Sequence, residues 1–460
     1  MRTPNQREWP SYRTVWRWHF FAGLFCIPFV IFLSLTGTLY LFKPQFEAWS
    51  ERSHDSLAPP DKHRLLSEQV QAVLIGIPDA KTVQVELPRT ETGATRVIVK
   101  DNQNTWRVMV HPQWLTILNV KNENESLMKQ VKSLHGQLGI GTWGSYLVEI
   151  AACWTIVMIL TGLVLWWPKN AKGLGGVLYP RWGKGDRVWW RDMHSVLGFW
   201  ISALAVLLIL TGLPWAKFWG NYFRTARQTV GLAATSQDWN IGGQSPSAGS
   251  EHAGHSQAGK AKGTRRGGKS SGAPIPKDLS GFDQLHQVAK LEMLAHPVLL
   301  SPPESQGANW KITSDAQNRT LRETLLVNVS DGTIASREVF SQKHWLDKVV
   351  GVGIAAHEGQ LFGIANQILG VLTTTGLIAL SCSGLWMWWK RRDTGTLGIP
   401  PPLSQARLVW SVWIGIMMLG IAMPLFGATL IVVLLIDRLT KILIVGHQDP
   451  TASLEDVWAN

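Results

Sequence analysis

The chain alternates between long apolar runs and long polar stretches. Five runs contain no Asp, Glu, Lys or Arg, and each is long enough, or nearly so, to cross a hydrocarbon core of about 30 Å at about 1.5 Å per helical residue. These runs predict five membrane-spanning helices, at residues 18–42, 146–167, 193–216, 361–389 and 408–436. The expected fold is therefore a membrane protein built on an α-helical bundle of about five transmembrane helices.

The polar stretches between the spans carry their own pattern. Residues 43–145 and 217–360 each contain a short amphipathic helix followed by alternating strands, which predicts two small α+β modules. Spans and modules recur in the same order, so the chain is interpreted as an internal duplication. The second copy is longer, mainly through residues 235–276, whose Gly, Ser, Ala and Lys content predicts a flexible insertion.

Basic residues predict the orientation in the membrane. Much of the net charge of +12 comes from short segments beside the spans, at residues 1–17, 168–192 and 390–407, which places these segments on the cytoplasmic side. Both modules and the tail at 437–460 are then expected outside. Because the charge has this topological role, a nucleic-acid-binding function is disfavoured. All three cysteines fall within spans, which argues against extracellular disulfides and a Cys-ligated iron–sulfur centre.

Four histidines recur at matched positions in the duplicated unit. His19 precedes Gly37 by the same interval as His194 precedes Gly212, and each of these glycines ends an LTG sequence. His135 and His357 likewise precede the last tryptophan of a span, Trp167 or Trp389, by one common interval. The predicted topology places the first two histidines at one depth near the cytoplasmic face and the other two near the outer face.

Paired histidines at one depth point to haem iron. Two helices that each supply an imidazole can clamp a porphyrin between them. We therefore predict two haem sites, with His19 and His194 as ligands of one iron and His135 and His357 as ligands of the other. Since the sequence contains no CxxCH, both groups are expected to be non-covalent haem b.

Glycine positions agree with this hypothesis. Gly23 lies one turn after His19 on the same helical face, where a flat macrocycle needs room, and Gly37 returns to that face five turns after His19. Gly198 and Gly212 repeat the pattern after His194, so each face could accommodate one haem at each end. Two alternatives stay open. The histidines are also explained as interfacial residues bonded to headgroups or carbonyls, or as zinc ligands, although the sequence offers no clustered third and fourth ligand at either depth.

Other candidate residues carry weaker signals. Glu149 is the only acid at the mouth of an apolar span and is a candidate to tune the outer haem or relay a proton, with an interfacial carboxylate as the alternative. His344 and His447 are candidate substitute ligands at the outer site. His252 and His255 are interpreted as solvated linker residues rather than metal ligands. No side chain is predicted to perform catalytic chemistry itself.

Several motifs resemble those of a known family. They are Arg17-Trp18-His19, LTG at 35–37, LHGQL at 134–138, DMHSVLGFW at 192–200 and HEGQLFG at 357–363. Together they resemble the PepSY-associated transmembrane family, and particularly its iron-regulated ferric-siderophore reductases of the FoxB type. The resemblance covers essentially the whole chain. It implies a bacterial inner-membrane di-haem protein with two periplasmic PepSY-like modules, and its histidines carry over to His19, His135, His194 and His357.

The resemblance also implies partners and an activity. Electrons would pass from a cytoplasmic reductase or quinol to a periplasmic ferric siderophore, whose reduction from Fe(III) to Fe(II) releases iron. No GxGxxG fingerprint follows a strand, which agrees with a separate electron donor. Two alternatives are a protein whose modules regulate peptidases or sense ligands without redox activity, and a transporter, for which the intramembrane charges are few.

Overall fold

The structure is a computed structural model that describes residues 11–168, 173–230, 274–305, 307–399 and 410–448. The first half of the chain contains α1 (Tyr12–Leu41), α2 (Lys43–Asp55), α3 (Leu66–Gly76), β1 (Thr82–Glu86), β2 (Thr95–Lys100), β3 (Thr105–Val110), β4 (Ile117–Asn122), α4 (Leu127–Gln137) and α5 (Thr142–Trp166). The second half contains α6 (Asp186–Gly212), α7 (Lys217–Thr229), α8 (Gly281–Glu292), β5 (Val298–Ser301), β6 (Trp310–Ser314), β7 (Glu323–Asn328), β8 (Thr333–Val339), α9 (Trp345–His357), α10 (Ile364–Arg391), α11 (Trp410–Ala422) and α12 (Pro424–Gln448).

Four long helices form a bundle. Among the described residues, α1, α5, α6 with the turn that follows it, and α10 are long and apolar enough to cross a membrane. Helix α1 packs against α5 and α10, and α6 packs against the same two helices, so α1 and α6 lie on a diagonal of the bundle. Small residues permit this close approach, since a Cβ on Gly376 would lie 2.8 Å from the Ile201 side chain. The chain is therefore a multi-pass membrane protein.

The fifth span predicted at 408–436 is not a single helix. Pro424 begins α12 and has no backbone N–H to continue the hydrogen bonding of α11, so the helix breaks at Met423. A Cβ on Gly427 would lie 3.3 Å from the Cα of Gly420, whereas a straight helix would separate these two positions by about 10 Å. The chain therefore folds back sharply at Met423, and a fifth membrane-crossing helix is not confirmed.

The break is held by the neighbouring helices. Trp219 and Tyr222 of α7 donate hydrogen bonds to the last two backbone carbonyls of α11, which the break leaves without helical partners. Further along, Trp154 of α5 donates to Thr429 of α12 at 3.0 Å. Helix α12 thus runs back beside α5, away from the α7 side. The tail predicted to lie outside, at 437–460, begins within α12, which points away from the end of the bundle where α7 lies.

The two predicted modules join into one sheet. Its eight antiparallel strands follow the order β4-β3-β2-β1-β5-β6-β7-β8, and the halves meet where Val85 of β1 pairs with Leu300 of β5. Helices α3 and α8 share one apolar core with the sheet, in which Val70, Phe282 and Leu300 are fully buried. The two predicted α+β modules therefore share one sheet and one apolar core, as two similar halves of a single body.

Matching helices show where the two copies differ in length. The segment between α2 and α3 covers only positions 56–65, whereas the segment between the equivalent helices α7 and α8 covers positions 230–280. The additional residues of the second copy thus fall between α7 and α8. The insertion predicted at 235–276 lies almost wholly outside the described residues.

Candidate functional site

The structure brings the four histidines together in the two predicted pairs. The rings of His19 on α1 and His194 on α6 have centroids 6.2 Å apart, and we call them the inner pair. The rings of His135 on α4 and His357 on α9 have centroids 6.3 Å apart, and we call them the outer pair, because they lie at the end of the bundle that carries the sheet. Each pair takes one histidine from each copy of the duplicated unit.

A neighbouring helix fixes every histidine through its Nδ1 atom. In the inner pair, Nδ1 of His19 lies 3.0 Å from the Met158 carbonyl and Nδ1 of His194 lies 3.1 Å from the Leu380 carbonyl. In the outer pair, Nδ1 of His357 lies 2.9 Å from the Leu208 carbonyl, and His135 forms a hydrogen bond with the backbone of Leu33. A carbonyl can only accept, so Nδ1 carries the proton and the lone pair remains on Nε2. Metal-bound histidines are oriented in this way by carbonyl groups around them.

A hydroxyl group adds a second acceptor in each case. The hydroxyl belongs to the residue three positions after the one that supplies the carbonyl. In the inner pair it lies 3.2 Å (Thr161) from Nδ1 of His19 and 3.0 Å (Ser383) from Nδ1 of His194. In the outer pair it lies 3.1 Å (Thr36) from Nδ1 of His135 and 3.2 Å (Thr211) from Nδ1 of His357. Each hydroxyl donates its own hydrogen to a carbonyl of its own helix, so it accepts from the imidazole.

A glycine directly follows each hydroxyl residue and makes room for the ring. A Cβ on these glycines would lie 3.0 to 3.3 Å from Cε1 of the histidine, for Gly162 with His19, Gly384 with His194, Gly37 with His135 and Gly212 with His357. We call the carbonyl, the hydroxyl three positions later and the glycine after it a histidine cradle. The four cradles lie on α5, α10, α1 and α6.

The cradles add a contact to the role predicted for two glycines. Gly37 and Gly212, which are predicted to make room at the far end of the face that carries His19 or His194, lie against the rings of the outer pair. Gly23 and Gly198 face side chains of α5 and α10 and serve helix packing. A sequence signal for the cradles exists, because each of the four spans contains Leu or Met, two residues, Thr or Ser, then Gly.

The two pairs are carried by different kinds of helix. His19 and His194 lie within the long helices of the bundle itself. His135 and His357 lie in the last turn of short helices that follow the edge strands of the sheet. Ser126 begins one of these short helices by accepting from the backbone N–H of Lys129. The outer pair is therefore positioned jointly by the sheet and the bundle.

The surroundings of the outer pair keep the imidazoles neutral. Burial lowers the pKa of His135 to about 4 and also lowers the pKa of His357, so both rings are uncharged at neutral pH. The indole of Trp215 lies edge-on to His357, with ring centroids 6.0 Å apart. The exposed Lys132 places its Nζ atom 5.8 Å from the centre of the same indole. An aromatic ring thus contacts the outer pair, and an exposed cation lies beside that ring.

The remaining predicted site residues have structural roles or lie outside the description. Glu149 accepts from the backbone N–H groups of Phe218 and Trp219, so it caps the start of α7. His344 likewise caps α9 through the N–H of Leu346 and is not placed as a ligand of the outer pair. The side chain of His447 lies outside the described residues, as do His252 and His255.

A buried carboxylate anchors the loop next to the inner pair. Asp192 is fully buried two positions before His194 and accepts from Arg181 at 2.8 and 3.0 Å. It also accepts from Arg191 at 2.8 Å. These charge-assisted bonds tie the loop between α5 and α6 to the first turns of α6, which supports the position of His194.

Each pair offers two protein ligands. Within the described ranges, no group of three or more His, Cys, Asp and Glu side chains is placed to hold a metal ion. An iron ion held in a macrocycle takes only one or two side chains as further ligands, whereas a structural zinc site requires about four. Iron in a macrocycle therefore fits these donor sets better than a bare zinc ion.

Comparison with known proteins identifies the family. No curated protein matches the chain. The profile of the PepSY-associated TM region family matches residues 16–391, a segment that contains the four bundle helices except the first turn of α1, together with the sheet and all four histidines. Because this match covers most of the chain, the protein belongs to the PepSY-associated TM region family.

Proposed function

We propose that this protein is a transmembrane ferric-chelate reductase. In this proposal it binds two haem b groups, one at each histidine pair, and carries electrons across a bacterial inner membrane to a ferric siderophore in the periplasm. The reaction is the one-electron reduction of Fe(III) to Fe(II), which weakens the hold of hard oxygen donors on the iron. Release of iron from its chelate is the expected outcome.

The geometry of the histidine pairs carries the proposal. Two imidazoles that bind one metal from opposite sides, each with a nitrogen about 2 Å from it, have centroids about 6 Å apart once about 1 Å of ring is added on each side. The observed separations of 6.2 and 6.3 Å match this spacing. The proton on Nδ1 leaves the Nε2 lone pair of all four rings available for a metal.

The spacing of the pairs along the bundle supports transfer across the membrane. Helix α1 carries His19 near its start and Gly37, the cradle glycine of His135, near its end. The helical segment between these two residues rises about 27 Å, which is close to the thickness of a hydrocarbon core. One pair is thereby available near each face.

The residues of the chain have defined tasks in this function. The histidines hold the haem groups, the cradles fix the proton on Nδ1 and the ring orientation, and the apolar helices exclude water. Haem, when bound, supplies one-electron chemistry whose potential depends on ligands, burial and nearby charge. Basic residues at the end of α10 and the start of α6, opposite the sheet, support a cytoplasmic location for the inner pair and a periplasmic one for the sheet.

The test uses the purified full-length chain in detergent. We expect a reduced-minus-oxidised spectrum with b-type features and a pyridine haemochrome count of about two per chain. Under anaerobic conditions, a ferric trihydroxamate should reoxidise the reduced protein while a ferrous-specific chromophore collects Fe(II). The gallium(III) complex of the same chelator is the matched control, because it cannot accept the electron and should leave the protein reduced.

A different result would favour the other function considered above. A colourless protein that binds no added haem would contradict the redox proposal. The sheet would then be the working part, as expected for a peptidase-regulating or ligand-sensing protein.

A further inference from the structure

A cleft lies between α6 and α10 beside the inner pair. Its volume is about 450 Å³. Its walls are Trp190, Met193 and Leu197 of α6 and Ala379, Cys382, Ser383 and Trp386 of α10. Binding sites for small molecules commonly have about 300 to 1,000 Å³. The cleft is therefore large enough for one aromatic headgroup.

The cleft is in direct contact with the histidine cradle. Ser383 lines the cleft, and its hydroxyl accepts from Nδ1 of His194 at 3.0 Å. Trp190 and Leu197 lie one helical turn before and one turn after that histidine, on the same side of α6. An occupant of the cleft would thus touch the residue that orients His194.

The lining defines the chemistry of the occupant. The indoles of Trp190 and Trp386 lie with centroids 5.7 Å apart and provide flat apolar walls. The polar group among the lining residues is the hydroxyl of Ser383, and the ammonium of Lys390 lies 5.1 Å from the centre of the Trp386 ring. The Ser383 hydroxyl gives its own hydrogen to the Leu380 carbonyl, so its oxygen can only accept from an occupant. A flat, largely apolar ring that carries hydroxyl groups complements this lining, because a ring hydroxyl can donate to Ser383.

The position of the cleft defines the route of entry. Cys382 is exposed, and so is Ala379, although both lie within a helix that is apolar enough to span the membrane. Side chains exposed at this depth face lipid rather than water. An occupant that enters between these two side chains arrives from the bilayer, which favours a lipid-soluble molecule over a water-soluble nucleotide.

We propose that this cleft binds an isoprenoid quinol, which serves as the electron donor. This inference rests on the proposed reductase function for the role of the quinol. Oxidation of one quinol to the quinone releases two electrons and two protons. The electrons reduce two ferric ions in their chelates to ferrous ions, and the protons pass to water on the side of the inner pair.

Protection of Cys382 from a thiol reagent tests binding independently of haem. Since Cys26 and Cys153 are buried, N-ethylmaleimide should label the full-length protein at Cys382 alone, and Cys382→Ser should abolish labelling. Decylubiquinone should slow labelling about threefold or more, whereas decanol, which has the tail without the ring, should not. Ala379→Trp, which fills the cleft from its exposed wall, should remove the protection.

A reference cysteine controls for general effects of the quinone. Leu372→Cys in the Cys382→Ser background places a thiol on the exposed face of the same helix, about three turns from Cys382. Its labelling rate should not change with decylubiquinone. Equal protection by decanol, or no protection by the quinone, would overturn the proposal and leave the cleft as a site for hydrocarbon chains.

A kinetic ratio separates this inference from the proposed function. In the wild-type protein, reduction of the ferric chelate should proceed with either decylubiquinol or dithionite as donor. Ala379→Trp should lower the ratio of the quinol-driven rate to the dithionite-driven rate at least tenfold. Activity with dithionite but neither quinol activity nor protection of Cys382 would refute the quinol site alone. Protection of Cys382 without any chelate reduction would refute the reductase function and retain the quinone site.

Discussion

The inner and outer histidine pairs share one local design but differ in what holds them. Both pairs have nearly the same ring separation, the same Nδ1 bonds and the same glycine beside each ring. The inner histidines, however, belong to helices of the bundle, whereas the outer ones belong to α4 and α9, which follow the edges of the sheet. A cradle can therefore receive a histidine from a spanning helix or from a helix that docks onto the bundle from outside.

This difference separates the causes of stability at the two sites. The inner pair depends on the packing of α1 and α6 with their neighbours. The outer pair depends in addition on the fold of the sheet and on the docking of two short helices. Substitutions can therefore test each site separately.

Removal of a ligand should have the largest effect. His19→Ala or His194→Ala should abolish the inner haem, and His135→Ala or His357→Ala the outer haem, so that a pyridine haemochrome count falls from about two to about one per chain. His344→Ala is the control, because that histidine caps a helix and should leave the count at two. Loss of both haems in every variant would show that the pairs do not act as separate sites.

A side chain in place of a cradle glycine should have the next largest effect. Gly37→Val places carbon atoms within about 3.1 Å of the His135 ring, and Gly162→Val within about 3.0 Å of the His19 ring. Such overpacking costs about 1–3 kcal/mol, so haem affinity should fall about tenfold at the matching site only. Haem titration of the haem-free protein measures this change.

The matched control for the glycine variants lies in α11. A Cβ on Gly415 would meet no other atom within 4 Å, so Gly415→Val should leave both affinities unchanged. Equal weakening of both sites by Gly37→Val would contradict a local role for the cradle.

Loss of a cradle hydroxyl should have a smaller effect, because the carbonyl bond to Nδ1 remains. Thr36→Val should alter the outer haem and Thr161→Val the inner one. A less basic imidazole stabilises Fe(III) less, so we expect the midpoint potential of that haem to rise by on the order of 20–60 mV. A spectroscopic redox titration measures the shift, and Thr36→Ser should restore the original value.

Loss of the cap of α4 should have the smallest effect and only at the outer pair. Ser126→Ala removes the oxygen that accepts from the Lys129 N–H, at a cost of about 1 kcal/mol to the helix. The outer haem should dissociate up to about fivefold faster, and the inner haem at its original rate. Transfer of haem to apomyoglobin measures both rates, and an equal change at both sites would argue against separate support.

The pairing of the histidines could be predicted from the sequence, but the cradles could not. The equal intervals in the two copies and the predicted direction of each span place the histidines of one depth together, without knowledge of side-chain contacts. The partner of Gly37 depends on which helix packs against α1, and helical phase within α1 contains no information on this. The four Thr-Gly or Ser-Gly sequences mark the cradles only once the bundle is known.

Two parts of the fold were also beyond the reach of local patterns. The charge-free run at 408–436 has the length of a span, but Pro424 together with Gly420 and Gly427 lets the chain reverse direction within it. The pairing of β1 with β5 joins segments from opposite halves of the chain, with two spans between them in sequence. Strand alternation predicts that each strand exists, but not which edge it meets.

The centre of the sheet has a consequence for the ancestry of the chain. Val85 and Leu300, which pair at the β1–β5 contact, are equivalent residues of the two copies. Val85 follows Leu66, the start of α3, by the same interval as Leu300 follows Gly281, the start of α8. Antiparallel pairing of a strand with its own equivalent is the contact that a twofold axis produces. A shorter ancestor with one copy would have carried one histidine for each pair, and it would have completed both pairs only as a symmetric homodimer joined through this strand.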